Sequence, residues 1–278
     1  MKLHFAKVNP AENMTIFVLD QIPIEYHREI ANKLMDYNSI HGEQVGFIQR
    51  EGSFMRLQMM GGEFCGNATR SLAAYMVYSG YPGTKKVDNG YEVELKASGV
   101  KDTIKCLVKP ADRENTYYSQ ISMPLPLSVK EHSFYYNRET INTIIVNLPG
   151  IVHIIVDSNR IEDEDEFFQI VKSEMDEIEY DAFGIMFYDK NKNYLKPLVY
   201  VKATDSLYWE RSCASGTCAL GVALAYEKNQ PISKSIHQPG GNLEVSLDWK
   251  NGEVNGIKLD GLVEIVSEGI VYIRENIR

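Results

Sequence analysis

Four cysteines occur in the chain, and two of them open the same local pattern. Cys65 begins Cys65-Gly66-Asn67-Ala68-Thr69 and Cys213 begins Cys213-Ala214-Ser215-Gly216-Thr217. Each is followed by an apolar run, Leu72-Ala73-Ala74-Tyr75-Met76 in one case and Ala219-Leu220-Gly221-Val222-Ala223-Leu224 in the other. Asn67 and Ser215 are side chains of the type that caps helix N-termini, so each cysteine is expected just ahead of a helix start. Unpaired amides and the helix dipole there lower a thiol pKa and can hold an anion such as a carboxylate. The small residues let a ligand approach the backbone. If the two helix starts meet across a cleft, their thiols supply acid/base groups to opposite faces of one amino acid. Removing the α-proton on one face and returning one on the other inverts the centre without a cofactor. That chemistry needs one thiolate and one thiol, a coupled pair, and oriented dipoles in a water-poor site to stabilise the carbanion.

The remaining two cysteines read differently. Cys106 lies in the strand-like stretch Thr103 to Val108 and is read as core. Cys218 falls where the first pattern has Arg70. It is read as packing, or as the redox partner of Cys213.

The elements that must carry these cysteines form a repeat. Val8-Asn9-Pro10, leading to Ile16-Phe17-Val18-Leu19-Asp20, matches Val146-Asn147-Leu148, leading to Ile154-Ile155-Val156-Asp157. Glu43-Gln44-Val45-Gly46-Phe47 matches Asp181-Ala182-Phe183-Gly184-Ile185 at a spacing of 138, and the cysteine patterns follow at 148 with Leu72 and Leu220 in register. Similar segments recurring in the same order point to a duplication into two α+β halves. β-branched and aromatic residues predict strands at Leu3 to Lys7, Thr15 to Asp20, Tyr91 to Leu95, Thr143 to Val146, His153 to Asp157, Leu198 to Lys202 and Gly269 to Ile273. Helical stripes run over Ile24 to Tyr37 and through Phe167, Ile170, Val171, Met175 and Ile178. The acidic run from Glu162 to Glu166 suits the solvated first turn of the second of these. Pro110 and a polar stretch place a boundary near Lys109 to Thr116.

Composition narrows the function classes. A chain of 278 residues with 44% apolar and 24% charged residues predicts about two packed domains and no extended disorder. A net charge of −9 argues against nucleic acid as a partner. No apolar run reaches the roughly 18 residues of a membrane helix, and no secretory leader is read at the N-terminus. The expected location is therefore cytoplasmic, with reduced thiols. The histidines and cysteines show no zinc-type spacing, so no metal is expected.

The motifs Phe64-Cys65-Gly66-Asn67-Ala68-Thr69-Arg70 and Glu210-Arg211-Ser212-Cys213-Ala214-Ser215-Gly216-Thr217 resemble those of the diaminopimelate epimerase superfamily. The resemblance spans nearly the whole chain. It implies an α+β fold of two pseudo-symmetric domains, each a mixed β-barrel-like sheet around a central helix. The domains would be residues 1–115, joined by a returning strand at 263–278, and residues 116–262. It also implies cofactor-independent racemisation or epimerisation, with Cys65 and Cys213 as the catalytic pair. Gly66, Asn67, Ala214 and Ser215 match positions that bind the substrate carboxylate through the main chain, and Asn13 and Gln44 match substrate-contacting residues. His153 and Glu210 match residues that tune the thiols. A core role for His153 and strand-end packing for Glu210 are the competing readings.

Ile151, Pro197 and the short Ser212 link depart from the diaminopimelate enzymes, where Asn, Asn and a longer loop occur. The segments Asn13-Met14-Thr15-Ile16, Glu43-Gln44-Val45-Gly46-Phe47-Ile48 and Ile236-His237-Gln238-Pro239-Gly240-Gly241 instead resemble the histidine racemases of opine-metallophore biosynthesis. In that group Glu43 matches an acidic active-site residue; an ordinary surface carboxylate is the competing reading, and its place in the Glu-Gln-x-Gly repeat favours function. His237 reads as part of a turn. The implied reaction is interconversion of L- and D-histidine. The alternatives are diaminopimelate epimerase, a racemase of another amino acid, a thiol redox protein, and a non-catalytic amino-acid-binding protein. Oligomeric state stays open, a homodimer among the options.

Overall fold

The computed structural model describes residues 1–274, so the last four positions of the expected returning segment 263–278 lie outside the described residues. The chain divides into two compact units, Met1–Ser122 with the chain from Asp260 onward, and Met123–Leu259. Both are α+β and mostly strand.

In the first unit, Lys2–Asn9 pairs antiparallel with Thr15–Val18 and with the second half of the long last strand, Glu253–Tyr272. Register runs from Lys2 opposite Tyr272 and shifts at a bulge between Lys7 and Val8. Thr15–Val18 runs parallel to Gln44–Glu51, Thr15 facing Gln44, which brings the starts of these two strands together. Phe54–Met59, Lys85–Val87, Gly90–Ala97, Ile104–Pro110 and Thr116–Ser122 complete the strands of this unit. Helix α1, His27–Met35, buries Ile30, Ala31 and Leu34 against Leu3, Ile16, Val18, Val45 and Phe47.

The expected helix over Ile24 to Tyr37 is shorter at both ends. A 3-10 turn occupies Ile24–Tyr26 after Pro23. Asp36 turns extended, and its Oδ1 accepts the Asn38 amide at 2.8 Å, so the side chain competes with the next helical turn. The boundary expected near Lys109 to Thr116 is the turn of a hairpin in which Ile104–Pro110 pairs with Thr116–Ser122, and the unit continues to Ser122.

Helix α2, Gly66–Tyr78, is buried from Gly66 through Met76. Strands Phe54–Met59, Gly90–Ala97, Ile104–Pro110 and Thr116–Ser122 contact it. From Leu72 to Val77 it is apolar all round, as suits a helix inside a unit, and each fully buried Leu or Met contributes roughly 2 kcal/mol.

The second unit contains Ser128–Tyr136, Glu139–Leu148, Ile151–Asp157, Ala182–Asp189, Tyr194–Val201, Ser206–Trp209, Ile232–Gln238 and Gly241–Lys250. Ile151–Asp157 runs parallel to Ala182–Asp189, with His153 opposite Gly184. Helix α3, Glu164–Met175, starts at Asp163, whose Oδ1 accepts the amides of Asp165 and Glu166 at 3.0 and 2.9 Å. The acidic run therefore does occupy a first helical turn. Phe167, Phe168, Val171 and Met175 pack on Phe134, Tyr136, Phe183, Phe187 and Tyr200. Ile178, expected on the same stripe, lies past the helix end and is exposed. Helix α4, Ala214–Lys228, is buried from Gly216 through Ala225 and contacts strands Glu139–Leu148, Ile232–Gln238 and Gly241–Lys250. Among the described residues no helix is long and apolar enough to cross a membrane.

Candidate active site

The two cysteine motifs sit at the starts of α2 and α4, one in each unit. In the first unit Cys65 adopts extended backbone, φ −120° and ψ 111°, and its Sγ accepts the amide of Ala68 at 3.4 Å. The cysteine itself is the N-cap. Asn67, expected in that role, lies inside the first turn, because the sulfur two residues earlier already reaches the third helical amide. The released Asn67 side chain is buried: its Nδ2 donates to Asn13 Oδ1 at 3.2 Å and its Oδ1 accepts from Arg70 Nε at 3.1 Å.

The Cys65 thiol donates to Gln44 Oε1 at 3.2 Å. Gln44 Nε2 in turn donates to Asn13 Oδ1 and Thr15 Oγ1, both at 2.8 Å, and Asn13 Nδ2 donates to Glu43 Oε2 at 2.8 Å. Asn13, Glu43, Gln44, Gly66 and Asn67 are thus brought to the Cys65 thiol. The cause is topological: Asn13 precedes one of the two parallel strands, and Glu43 stands just ahead of the other, which Gln44 begins. Arg70, one turn into α2, is fully buried. Desolvation pulls its guanidinium down to about 10, against the opposing charges of Asp260 and Cys65.

In the second unit Cys213 has the same backbone, φ −121° and ψ 111°, and its Sγ accepts the Gly216 amide at 3.3 Å. Here too the cysteine is the cap, and Ser215 is inside the first turn. Ser215 Oγ lies 3.5 Å from Cys213 Sγ and 3.0 Å from His153 Nε2. Burial pushes the Cys213 thiol well above its ordinary value, and the charge of Glu210 and a hydrogen bond to it add to the shift. Ser215 and the Gly216 amide act in the opposite direction. His153, completely buried, is driven down to about 3 by desolvation and is therefore neutral. Its Nδ1 has no hydrogen-bond partner. A bare ring nitrogen is cheaper to bury than an unpaired N–H, so the proton belongs on Nε2. It is donated to Ser215 Oγ, whose own hydroxyl donates to the sulfur. The thiol proton then points to Glu210.

Two glycines make room for this arrangement. A Cβ at Gly216 would stand 2.2 Å from Met186 Sδ, and one at Gly184 would stand 2.7 Å from His153 Nδ1.

Residues 2–272 match the family model described as the histidine racemase CntK N-terminal domain. The chain belongs to that family. A histidine racemase of Fusobacterium nucleatum subsp. nucleatum is 37% identical over 276 residues, covering 98% of this chain and 97% of that protein. A histidine racemase of Staphylococcus aureus is 28% identical over 278 residues, covering 98% of each. In fold, the chain is similar to a hydroxyproline epimerase from Agrobacterium vitis, with a TM-score of 0.69 at 11% identity, over 97% of this chain and 91% of that one. A probable proline racemase from Agrobacterium radiobacter gives 0.67 at 11% identity over 98% and 93%.

Other residues of the family member's two helix starts were not singled out by the sequence. Gln238 is buried, its Oε1 accepting the Cys213 amide and its Nε2 donating to Thr217 Oγ1, both at 2.8 Å. Thr217 Oγ1 donates to the Cys213 carbonyl at 2.6 Å. Gln238 ends strand Ile232–Gln238, whereas the sequence places His237 and Gln238 in a turn. The turn is only Pro239-Gly240, since pairing continues from Ile232 opposite Leu247 to Gln238 opposite Gly241. His237 Nδ1 is 2.7 Å from Asn242 Oδ1 on the exposed side of that hairpin. Cys106 and Cys218 are buried, and desolvation pushes both thiols far up. A buried, fully protonated Cys218 is a poor redox nucleophile. Among the described residues no group of three or more His, Cys, Asp or Glu side chains is arranged to hold a metal ion.

Proposed function

We propose that this chain interconverts L- and D-histidine, with Cys65 and Cys213 as the two acid/base groups. The observation that carries the reading is the shared cap. Each sulfur accepts the amide three residues on from an extended backbone of nearly identical dihedrals, so each is tethered where first-turn amides gather. In this reading the amides of Gly66, Asn67, Ala214 and Ser215 hold the substrate carboxylate. The thiolate takes the α-proton and becomes a thiol. The electron pair of the broken C–H bond is delocalised into the carboxylate, and the opposing thiol delivers its proton to the other face, becoming the thiolate. The balance closes without a carbonyl cofactor. Glu210 holds the Cys213 proton in the resting state, His153 acts through Ser215 as a neutral donor, and Asn13, Glu43 and Gln44 position Cys65 and the substrate.

The repeated cap and the parallel strand pair in each unit support reading the units as pseudo-symmetric copies, each a β-barrel-like sheet around its central helix, α2 or α4. Assembly as a homodimer and a cytoplasmic location belong to the same reading.

The test is direct. L-Histidine in deuterated buffer should lose optical rotation as one deuterium enters the α-carbon. Cys65→Ala and Cys213→Ala should each lower turnover by at least about 10²–10⁴-fold. No α-exchange from either enantiomer would overturn the activity, full turnover in both variants would overturn the two-thiol mechanism, and preferred turnover of LL-diaminopimelate would replace the substrate.

A further inference from the structure

The hydrogen bonds that lead to Cys65 run in one direction, and a donor-only group sets it. Arg70, fully buried one turn into α2, donates from Nε to Asn67 Oδ1 at 3.1 Å. A guanidinium has donors and no acceptor, so Asn67 must turn its oxygen to Arg70 and its nitrogen the other way. That nitrogen donates to Asn13 Oδ1 at 3.2 Å. Gln44 meets the same oxygen and must also present nitrogen: its Nε2 donates to Asn13 Oδ1 and to Thr15 Oγ1, both at 2.8 Å. The Thr15 hydroxyl proton is given to the Asn13 carbonyl at 3.1 Å, which leaves its oxygen as the acceptor for Gln44. Both Nε2 protons are then used, and the side-chain oxygen of Gln44 is what faces Cys65 Sγ, at 3.2 Å. An amide oxygen accepts and does not donate, so the sulfur carries the proton. Turning Gln44 over would set its oxygen against Asn13 Oδ1, and turning Asn13 and Asn67 to match would end with an amide N–H against Arg70 Nε. Asn13, Thr15, Asn67 and Arg70 are all buried, where mispaired polar groups are most costly.

Resting on the two-thiol reading above, we propose that Thr15 is a positioning residue that fixes the Gln44 amide, making Cys65 the resting thiol and the acid of the pair. In its step the S–H bond breaks, the proton joins the electron pair on the α-carbon, and the sulfur is left as thiolate. A Gln carbonyl is no base, so the Cys65 proton has the substrate carbanion as its destination. Cys213 is the complementary case, because Glu210 beside it is a carboxylate, a group able to take up a proton. Charges near Cys65 pull both ways. Arg70 and the Ala68 amide, 3.4 Å from Sγ at the start of α2, favour the thiolate. Asp260 on the last strand, Glu43 through Asn13, and Glu63 two residues ahead of Cys65 favour the thiol. The Gln44 oxygen, in contact with the sulfur, tips the balance to the thiol.

The experiment measures peptide-resolved iodoacetamide alkylation of the full chain against pH, with Gln44→Met, Thr15→Val and Thr15→Ser beside the wild type. The wild-type Cys65 midpoint should stand at or above the ordinary cysteine value of about 8.5. Gln44→Met removes the acceptor and should lower that midpoint by about one pH unit, a roughly tenfold gain of reactive thiolate below it, with Cys213 unmoved. Thr15→Val takes away one of the two oxygens that hold the Gln44 nitrogen and should lower the midpoint by a smaller step. Thr15→Ser keeps the hydroxyl and should follow the wild type. A wild-type midpoint below about 8.5, or an unchanged or raised one in folded Gln44→Met, overturns the proposal. Should Gln44→Met fail to fold, Thr15→Val decides, since a midpoint equal to that of Thr15→Ser is equally fatal. The readout is thiol reactivity and not turnover. A protein that shows these shifts and never exchanges the histidine α-proton would therefore sink the functional reading and leave the wiring of Cys65 standing.

Discussion

Removal of one amide side chain should loosen the second helix start. Gln238 is buried and is the acceptor for the Cys213 amide at 2.8 Å while donating to Thr217 Oγ1 at 2.8 Å. In Gln238→Ala the Cys213 N–H, itself enclosed, loses its acceptor. A buried donor left unpaired costs roughly 1–3 kcal/mol, and the lost Thr217 bond adds about 1 kcal/mol, giving about 2–4 kcal/mol in all. At roughly 2–4 °C per kcal/mol for a chain of this size class, the melting temperature should fall by about 4–16 °C. The catalytic consequence is distinct, because the Cys213 backbone sets where its sulfur stands. Turnover should drop by about 10²-fold for a displacement near 1 Å, with the Cys65 alkylation profile intact. Gln238→Glu keeps the acceptor and loses the donor, so it should recover part of the stability. Thermal melts by circular dichroism and initial rates of α-deuteration measure the two effects. A Gln238→Ala protein that melts with the wild type and turns over normally would refute the assignment of this side chain as the anchor of Cys213.

Ser215→Ala cuts the link between His153 and Cys213 and removes a hydrogen bond that favours the thiolate. Its Cys213 alkylation midpoint should rise and its turnover fall by about tenfold or more, which pH-resolved alkylation and deuteration rates would check. Burial holds His153 near 3 in the folded chain, below its ordinary value of about 6.5 in the unfolded chain. The unfolded chain therefore binds the proton first, so stability should be level above pH about 6.5 and fall by up to about 1.4 kcal/mol per unit as pH drops toward 3. Urea midpoints against pH should show that slope in the wild type and a shallower one in His153→Gln; identical slopes would contradict it. Gly184→Ala puts a methyl 2.7 Å from His153 Nδ1 and 2.8 Å from Met186 Cε, which should cost about 1–3 kcal/mol in the same urea titration.

Much of the site could be read along the chain. The cysteine patterns, the Glu43-Gln44 segment and the repeat are local strings, and Asn13, Glu43, Gln44, Gly66 and Asn67 do converge on Cys65, as His153, Glu210, Ala214 and Ser215 do on Cys213. The caps were misplaced by two residues because statistical preference favours Asn and Ser over Cys, whereas the extended backbone here points the sulfur at the amide. Arg70 and Gln238 were passed over for another reason. One stands just ahead of the apolar run that begins at Leu72 and the other precedes Pro239-Gly240, contexts that suggest a surface residue of a first helical turn and a turn.

Residue type and order alone determined the two cysteine patterns, the small residues beside them and the apolar runs that follow, because hydrophobic periodicity and short-range capping chemistry act over a few positions. Only the folded chain decided the charge state of each group. Desolvation and Coulomb interactions depend on what long-range pairing encloses: Leu262 and Asp260 at Arg70, Gly184 and Ser215 at His153, and Gln238 at Cys213. Those neighbours lie tens to nearly two hundred positions away in the chain. Chain order does not encode them; strand pairing does.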